Sequence, residues 1–162
     1  MMNWPTQLPL IAILRGIRPD EVVAHVQALL DAGFDAIEVP LNSPDWSRSV
    51  RLVSDACTEA ILVGGGTVLG EADVDALVEA GGRLVVTPNT RPSLIRHAVQ
   101  RGLWVAAGFA SASEAFDALD AGAQALKLFP ASTYGAGHVK ALRAVLPPVP
   151  IFAVGGITPS NL

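Results

Sequence analysis

Two ionisable residues interrupt apolar, strand-length runs of this 162-residue sequence: Glu38 in Ala36–Leu41, and Lys127 in Ala125–Phe129. Charged side chains are rarely buried without a partner, because desolvating a charge is costly. One interpretation is a structural ion pair. The other is catalytic: burial frees a lysine amine as a nucleophile, and a nearby carboxylate transfers protons. These two groups suffice for Schiff-base chemistry.

A cation stands at the end of the first apolar run. Arg15 follows Leu8–Leu14, and its planar fork of N–H donors is suited to a carboxylate or a phosphate group. A salt bridge at the rim of the fold is the alternative interpretation.

Short loop segments after the other runs add candidate binding groups. Gly64–Thr67 follows the third run, where backbone amides could approach an oxyanion and Thr67 adds a hydroxyl, although a plain turn is the alternative. Val154–Ile157 follows the seventh run, and loops after the seventh and eighth strands of barrels often bind phosphate. Thr87, Pro88 and Asn89 end the fourth run, and we expect them to form part of the wall of the substrate pocket. Phe129 is predicted either to pack beside Lys127 or to belong to the core.

Seven strand-length apolar runs must position these residues. Their hydrophobicity is continuous, which is typical of parallel strands covered on both faces. The runs are Leu8–Leu14, Ala36–Leu41, Ile61–Val63, Leu84–Thr87, Trp104–Ala107, Ala125–Phe129 and Ile151–Val154.

Helical patterns lie between the runs, and they end in recurring glycines. Ser111–Glu114 predicts a capping box, and Ser43–Pro44 and Thr158–Pro159 each predict an N-cap followed by proline. Glycine at helix C-termini favours left-handed caps, at Gly33, Gly81, Gly102 and Gly122.

Repeated strand–helix units give either a closed barrel or a doubly wound open sheet. We predict an α/β fold, a (β/α)₈ TIM barrel, as a single domain over residues 1–162. Seven strands fall short of the eight that a barrel needs, so we expect the last strand–helix unit to be missing from this chain.

Composition excludes several classes of protein. A net charge of −4 without a basic stripe argues against a nucleic-acid partner. No apolar run approaches the roughly 20 residues of a membrane span, and no signal peptide is evident. Cys57 is the only cysteine, which suits a cytoplasmic location. The histidines show no metal-ligand spacing, so no metal is expected.

The motifs taken together resemble the class I 2-dehydro-3-deoxy-6-phosphogluconate/6-phosphogalactonate aldolases. The resemblance runs in order over essentially the whole chain and is specific as a set. The matching stretches are Leu10–Gly16, Glu38–Ser43, Gly65–Leu69, Val86–Asn89, Lys127–Pro130 and Val154–Ile157.

The resemblance implies the role of each site residue. Lys127 would form an imine with the keto acid, and Glu38 would be the general acid/base. Arg15 and Thr67 would bind the pyruvate-derived end of the substrate. Gly155 and Gly156 would lie near its phosphate end. The products would be pyruvate and D-glyceraldehyde 3-phosphate, and the protein would be a homotrimer with no cofactor beyond the covalent lysine imine.

Two positions resemble the phosphogalactonate branch of the family. Phosphogluconate-type enzymes usually carry arginine where this chain has Asn42, and threonine where it has Val154. The two substrates differ in configuration at one hydroxyl-bearing carbon, and a threonine hydroxyl can hydrogen-bond one epimer whereas valine cannot. We therefore expect 2-dehydro-3-deoxy-6-phosphogalactonate as substrate, with the gluconate epimer, an isomerase or a binding barrel as alternatives.

Overall fold

A computed structural model describes residues 4–57, 61–158 and 160 of the chain. Within these residues strands and helices alternate along the sequence. The strands are β1 (Ala12–Ile13), β2 (Ala36–Pro40), β3 (Leu62–Gly66), β4 (Leu84–Val86), β5 (Trp104–Phe109), β6 (Ala125–Leu128) and β7 (Ile151–Ala153). The helices are α1 (Pro19–Asp31), α2 (Trp46–Ala56), α3 (Glu71–Glu79), α4 (Pro92–Gln100), α5 (Ala112–Asp120) and α6 (Ala131–Arg143).

The strands form one sheet whose spatial order is the sequence order, β1 to β7, and every pair is parallel. A doubly wound sheet reverses its strand order at a switch point, whereas a barrel adds each new strand on the same side. The open-sheet alternative is therefore wrong, and the barrel prediction is confirmed as a curled sheet of seven described strands. The predicted helix start at Thr158–Pro159 reaches Pro159, which lies outside the described residues.

Strand alternation divides the sheet into two chemically different faces. The outer face packs aliphatic residues against the helices, and these are fully or almost fully buried: Ile37, Val39, Val63, Val85, Val105 and Leu126. The inner face is built mostly from small or medium residues at alternate positions: Ala36, Leu62, Leu84, Val86, Ala106 and Ala125. Glu38 and Lys127 occupy inner-face positions, because each follows a buried outer-face residue along its strand.

Helix termini agree with the sequence signals at five places. The glycine after each of four helices has a positive φ, at Gly33, Gly81, Gly102 and Gly122. In the capping box of α5, the Ser111 hydroxyl accepts from the Glu114 amide at 3.3 Å, and the Glu114 carboxylate accepts from the Ser111 amide at 2.8 Å. These helices therefore end and begin where local chemistry predicts.

Two local predictions were wrong. Ser43 does not cap a helix: α2 starts at Trp46 after Asp45, and the Ser43 hydroxyl instead accepts from the Gly16 amide at 3.0 Å. The glycines of Gly64–Gly66 do not form a turn, because they lie inside β3 and pair with β2 and β4. The backbone amides of a strand between two neighbours donate hydrogen bonds within the sheet. The amides of these glycines therefore do not form the oxyanion-binding turn that the sequence suggested.

Candidate active site

The inner face surrounds a cavity of about 240 Å³ that Glu38 and Lys127 both line. Glu38 comes from the middle of β2 and Lys127 from the third position of β6, and they are only 3% and 8% exposed. No salt bridge joins these two described side chains. The structural ion-pair interpretation is thus not supported, and both groups face a space large enough for a small molecule.

Burial shifts the pKa of both groups toward their neutral forms. Loss of hydration raises the pKa of the Glu38 carboxyl from 4.5 to about 7, and the positive charges of Lys127 and Arg15 oppose this rise. Loss of hydration also lowers the pKa of the Lys127 ammonium, with the Glu38 charge acting against the shift and Arg15 reinforcing it. An amine with a lowered pKa is a better nucleophile, and a carboxyl whose pKa lies near neutral pH can both donate and accept a proton.

Arg15 stands at the rim, two residues beyond the end of β1. Its side chain is exposed, and Nη1 donates to the Asn42 side-chain oxygen at 2.9 Å. The charge of Arg15 reaches both Glu38 and Lys127, since it contributes to the pKa shift of each. The sequence distinguishes Asn42 only as the residue that stands in place of the usual arginine, and the structure adds its hydrogen bond to Arg15.

Thr67 follows β3 directly and has a φ of 56°. A positive φ is unusual for any residue with a side chain, and a β-branched residue in this region is a genuine outlier. Backbone strain of this kind concentrates at functional sites. The strand before it and the amide of Val68, which donates to Val86 O at 3.4 Å, hold this segment in place.

The loop after β4 is fixed by a buried hydroxyl. Thr87 is 1% exposed; its hydroxyl donates to Asn89 O at 2.6 Å and accepts from Gly108 N at 3.0 Å. A side chain at Gly108 would meet Pro88 C at 2.3 Å, so a glycine there lets β5 approach this loop closely. This contact places Pro88 and Asn89 beside the top of β5, and their part in the wall of the substrate pocket stays a prediction.

Phe129 lies next to the lysine, as one of its two interpretations predicted. The Phe129 ring centroid is 5.5 Å from Lys127 Nζ, while the side chain remains 42% exposed. An aromatic face at this distance attracts a cation. The core alternative is wrong for this residue, because a large part of its surface meets solvent.

The segment after β7 approaches the start of α6. Val154 lines the cavity, and Gly155 and Gly156 have φ values of +92° and +74°. The amides of Ala131 and Ser132 donate to Val154 O at 2.7 Å and Gly155 O at 3.0 Å, respectively. This segment is thereby tied to the loop that follows Lys127.

The site thus combines groups that lie in six of the strands or in the segments that follow them. Lys127, Glu38 and Val154 meet in the cavity, whereas Arg15, Thr67, Pro88, Asn89, Phe129, Gly155 and Gly156 lie in the segments around it. Among the described residues no group of three His, Cys, Asp or Glu side chains is arranged to hold a metal ion. None of the described helices is long and apolar enough to cross a membrane.

A parallel barrel sheet that holds a buried lysine and a buried carboxylic acid in one cavity supplies the groups that a class I aldolase, a carbon–carbon lyase, requires. Enzymes of this class use a Schiff base on a lysine. A model of the KDPG and KHG aldolases matches residues 2–162. The chain belongs to the KDPG and KHG aldolase family.

Two curated relatives are similar over nearly the whole chain. It is 57% identical over 162 residues to the 2-dehydro-3-deoxy-6-phosphogalactonate aldolase of Escherichia coli K12, covering 99% of this chain and 79% of that protein. It is 47% identical over 158 residues to a probable enzyme of the same name from Rhizobium meliloti, covering 97% of this chain and 74% of the relative.

Solved structures agree with the fold. A native KDPGal structure superposes with a TM-score of 0.96 at 57% identity, covering 99% of this chain and 79% of that one. A KDPG aldolase from Legionella pneumophila, with pyruvate captured at low pH as a covalent carbinolamine intermediate, gives a TM-score of 0.87 at 27% identity. That match covers 94% of this chain and 74% of the Legionella chain.

Sequence reasoning missed what the last glycine of β3 does. Gly66 was read as part of a turn, but it lies in a strand against Glu38. A signal was present in the printed sequence: three glycines directly after an apolar run are compatible with a strand whose neighbours approach closely.

Proposed function

We propose that this chain cleaves 2-dehydro-3-deoxy-6-phosphogalactonate to pyruvate and D-glyceraldehyde 3-phosphate through an imine on Lys127. The observation that carries the proposal is the pairing of Lys127 with Glu38 in one small, mostly apolar cavity. Two relatives carry the name of this galactonate aldolase. The carbinolamine with pyruvate in the Legionella relative supports covalent chemistry in this family.

The proposed reaction begins when the neutral Lys127 amine attacks the C2 ketone of the keto acid. The resulting carbinolamine loses water as Glu38 donates a proton, which gives a protonated imine. A base then removes the C4 hydroxyl proton and the C3–C4 bond breaks, with its electron pair moving into the iminium system. D-glyceraldehyde 3-phosphate leaves, the enamine is protonated at C3, and water hydrolyses the imine to release pyruvate.

Glu38 is suited to move these protons in both directions. A carboxyl whose pKa lies at about 7 is populated in both protonation states near neutral pH. General acid/base catalysis is most effective when the pKa lies near the working pH. Its Oε2 atom is buried and has no hydrogen-bond partner among the described residues. Substrate or water can therefore form a hydrogen bond with this atom.

The two ends of the substrate are assigned to opposite sides of the cavity. Arg15 follows β1 and Thr67 follows β3, and these strands flank β2, which carries Glu38. We assign both residues to the carboxylate of the keto acid. Gly155 and Gly156 follow β7, and we assign them to the phosphate end. Positive φ values at both glycines turn the backbone sharply there, and such turns can present amide groups to an anion.

Val154 is proposed to favour the galactonate epimer. It lines the cavity and offers no hydrogen-bonding group to the hydroxyl at which the epimers differ. The test is to mix pyruvate with D-glyceraldehyde 3-phosphate and to identify the product by NMR. We expect the galactonate epimer to predominate, and a Val154→Thr variant to shift the ratio toward gluconate by roughly fivefold, the worth of one hydrogen bond. Predominant gluconate product from the unaltered chain would overturn the substrate assignment.

A homotrimer is the proposed assembly. A designed protein cage built by fusing symmetric oligomeric domains supports this proposal, because a part of its chain is 57% identical to this one, covering 97% of this chain and 58% of the cage chain. Light scattering coupled to size exclusion tests the assembly, and a monomeric mass at micromolar concentration would contradict it. The cytoplasmic location stays a prediction from the sequence.

A further inference from the structure

Gly66 ends β3, and its backbone is fixed on both sides. It pairs with Pro40 of β2 and Val86 of β4, and its carbonyl accepts from the Leu41 amide at 2.8 Å. A strand held by two neighbours has little freedom to move sideways. Any group added at this position must therefore be accommodated by side chains around it.

The space where a Gly66 side chain would lie is filled by the carboxyl group of Glu38. A Cβ atom built on Gly66 would be 1.4 Å from Glu38 Oε2 and 2.2 Å from its carboxyl carbon. The other two glycines of the strand have different neighbours. At Gly64 the added atom would meet the Leu84 backbone, and at Gly65 it would meet the Leu41 and Leu77 side chains.

The position of the Glu38 carboxyl depends on shape rather than on hydrogen bonds. Oε2 is buried and no described residue donates to it. Because Oε2 has no hydrogen-bond partner, this side of the carboxyl is positioned by the atoms it packs against, together with the attraction of the Lys127 and Arg15 charges. Among the described glycines, Gly66 is the one whose added Cβ would have the Glu38 carboxyl as its nearest neighbour.

We propose that Gly66 is a positioning residue: its missing side chain forms the niche that holds the Glu38 carboxyl in the cavity shared with Lys127. This inference rests on the proposed role of Glu38 as the general acid/base. A methyl group at Gly66 has to push the carboxyl from 1.4 Å to ordinary van der Waals distance. Displacements of this size are enough to cost roughly 10²-fold in rate.

The first test separates imine formation from proton transfer in a Gly66→Ala variant. Borohydride trapping of pyruvate should still label Lys127 fully after long incubation, because the amine is untouched and slower dehydration of the carbinolamine changes only the rate of labelling. Exchange of the pyruvate methyl protons with D₂O, followed by NMR, should slow by roughly 10²-fold, with kcat for cleavage falling similarly and KM little changed. Exchange at the rate of the unaltered chain would overturn the proposal.

A matched glycine-to-alanine control lies four residues further along. Gly70 has an ordinary extended φ of −142°, and a Cβ there would come no closer than 3.7 Å to Asp73. We expect Gly70→Ala to exchange and cleave within twofold of the unaltered chain. An equal loss in both variants would show that the effect belongs to the segment and not to the niche, and would contradict the proposal.

The pH dependence of exchange gives a readout that general destabilisation does not move. The charged groups that act on Glu38 are Lys127 from β6 and Arg15 after β1. The substitution changes neither residue. Pushing the carboxyl into the open cavity restores part of its hydration, which lowers its pKa from about 7. The acid limb of the Gly66→Ala profile should shift to lower pH, whereas an unshifted limb would contradict the proposal.

A shorter acid supplies the rescue experiment. The carboxyl of a Glu38→Asp variant is drawn back by one methylene, so it does not reach the niche. Adding Gly66→Ala should then cost less than about threefold, against roughly 10²-fold beside glutamate. An equal cost in both backgrounds would overturn the proposal. If Gly66→Ala alone fails to fold, recovery of folding in the double variant supports the niche, and failure of both overturns it.

The two proposals fail in distinguishable ways. If Glu38→Gln turns over at the full rate, the acid/base role is wrong, and the inference about Gly66 fails with it. If Glu38→Gln is slow while Gly66→Ala exchanges normally, the acid/base role stands and only the positioning role is wrong.

Discussion

The two faces of the same sheet differ in what they contribute. Ile37 and Val39 on β2 and Leu126 on β6 point outward into an aliphatic layer under the helices and are fully buried. Glu38 and Lys127, their immediate neighbours in sequence, point inward to a cavity of about 240 Å³. Strand alternation thus places stability on one face and chemistry on the other, one residue apart.

This separation has a thermodynamic cost on the inner face. Both ionisable groups are buried, and their pKa values move toward the neutral forms because hydration is lost. The aliphatic outer face offsets this cost through buried apolar area. Substitutions on the inner face should therefore lower turnover with little loss of stability, whereas those on the outer face should lower the free energy of unfolding with little loss of turnover.

The largest effect is expected at the nucleophile. Lys127→Met keeps the length of the side chain but removes the amine, so turnover should fall to background while the protein folds. The desolvation of a buried amine is removed, while the pKa of Glu38 loses the opposing charge of Lys127 and rises further, so Glu38 becomes neutral. The free energy of unfolding should therefore stay close to that of the unaltered chain. Measurable turnover above background in this variant would break the assignment of chemistry to the inner face.

Glu38→Gln is the next largest expected effect. Glutamine fits the same volume but cannot exchange protons, so kcat should fall roughly 10²–10⁴-fold. Steady-state kinetics of cleavage measure it. A kcat equal to that of the unaltered chain would show that another group is the acid/base.

Leu126→Ala tests the outer face beside the nucleophile. Removing this fully buried side chain should lower the free energy of unfolding by about 2–5 kcal/mol, as in other cores. Chemical denaturation measures the loss. Because Leu126 does not line the cavity, kcat and KM under folding conditions should change by less than about threefold. A large kcat loss with little destabilisation would contradict the separation of the faces.

The smallest expected effect is the pH dependence of stability. The pKa of Glu38 is raised from 4.5 to about 7 in the folded protein, so its contribution to stability is present below 4.5 and is lost as the pH rises through 7. Glu38→Gln removes this loss. The difference in unfolding free energy, variant minus unaltered chain, should therefore increase by up to about 3 kcal/mol from pH 4 to pH 8. A difference independent of pH would show that the carboxyl is not perturbed.

Most of the fold follows from local sequence signals. Seven apolar runs and the glycines that end the helices predict the alternation of strands and helices. Repetition of the unit alone leaves the barrel and the doubly wound sheet open, and the strand order of the structure decides between them. The bounds of two helices were predicted less well: α2 was expected to begin at Pro44 and begins at Trp46, and no bounds were predicted for α6. The segment of α6 includes Gly135, whose φ of 72° interrupts regular helix, and α2 follows Asp45 in a left-handed conformation. Such backbone irregularities hide the bounds of a helix from periodicity.

The site was predictable where charge contradicts its surroundings. Glu38 and Lys127 stand out because an ionisable residue in an apolar strand demands an explanation. Gly66 and Asn42 do not stand out, because their partners Glu38 and Arg15 are distant in sequence and meet only through strand pairing and loop packing. Contacts of this kind depend on register, which periodicity alone does not give.

The most direct test of the account is the mass of the intact protein after incubation with pyruvate and borohydride, followed by peptide mapping. The account predicts one reduced pyruvyl adduct per chain, located on Lys127 and lost in Lys127→Met. A folded chain that acquires no adduct, or acquires it on another lysine, would contradict the central claim that Lys127 is the Schiff-base nucleophile.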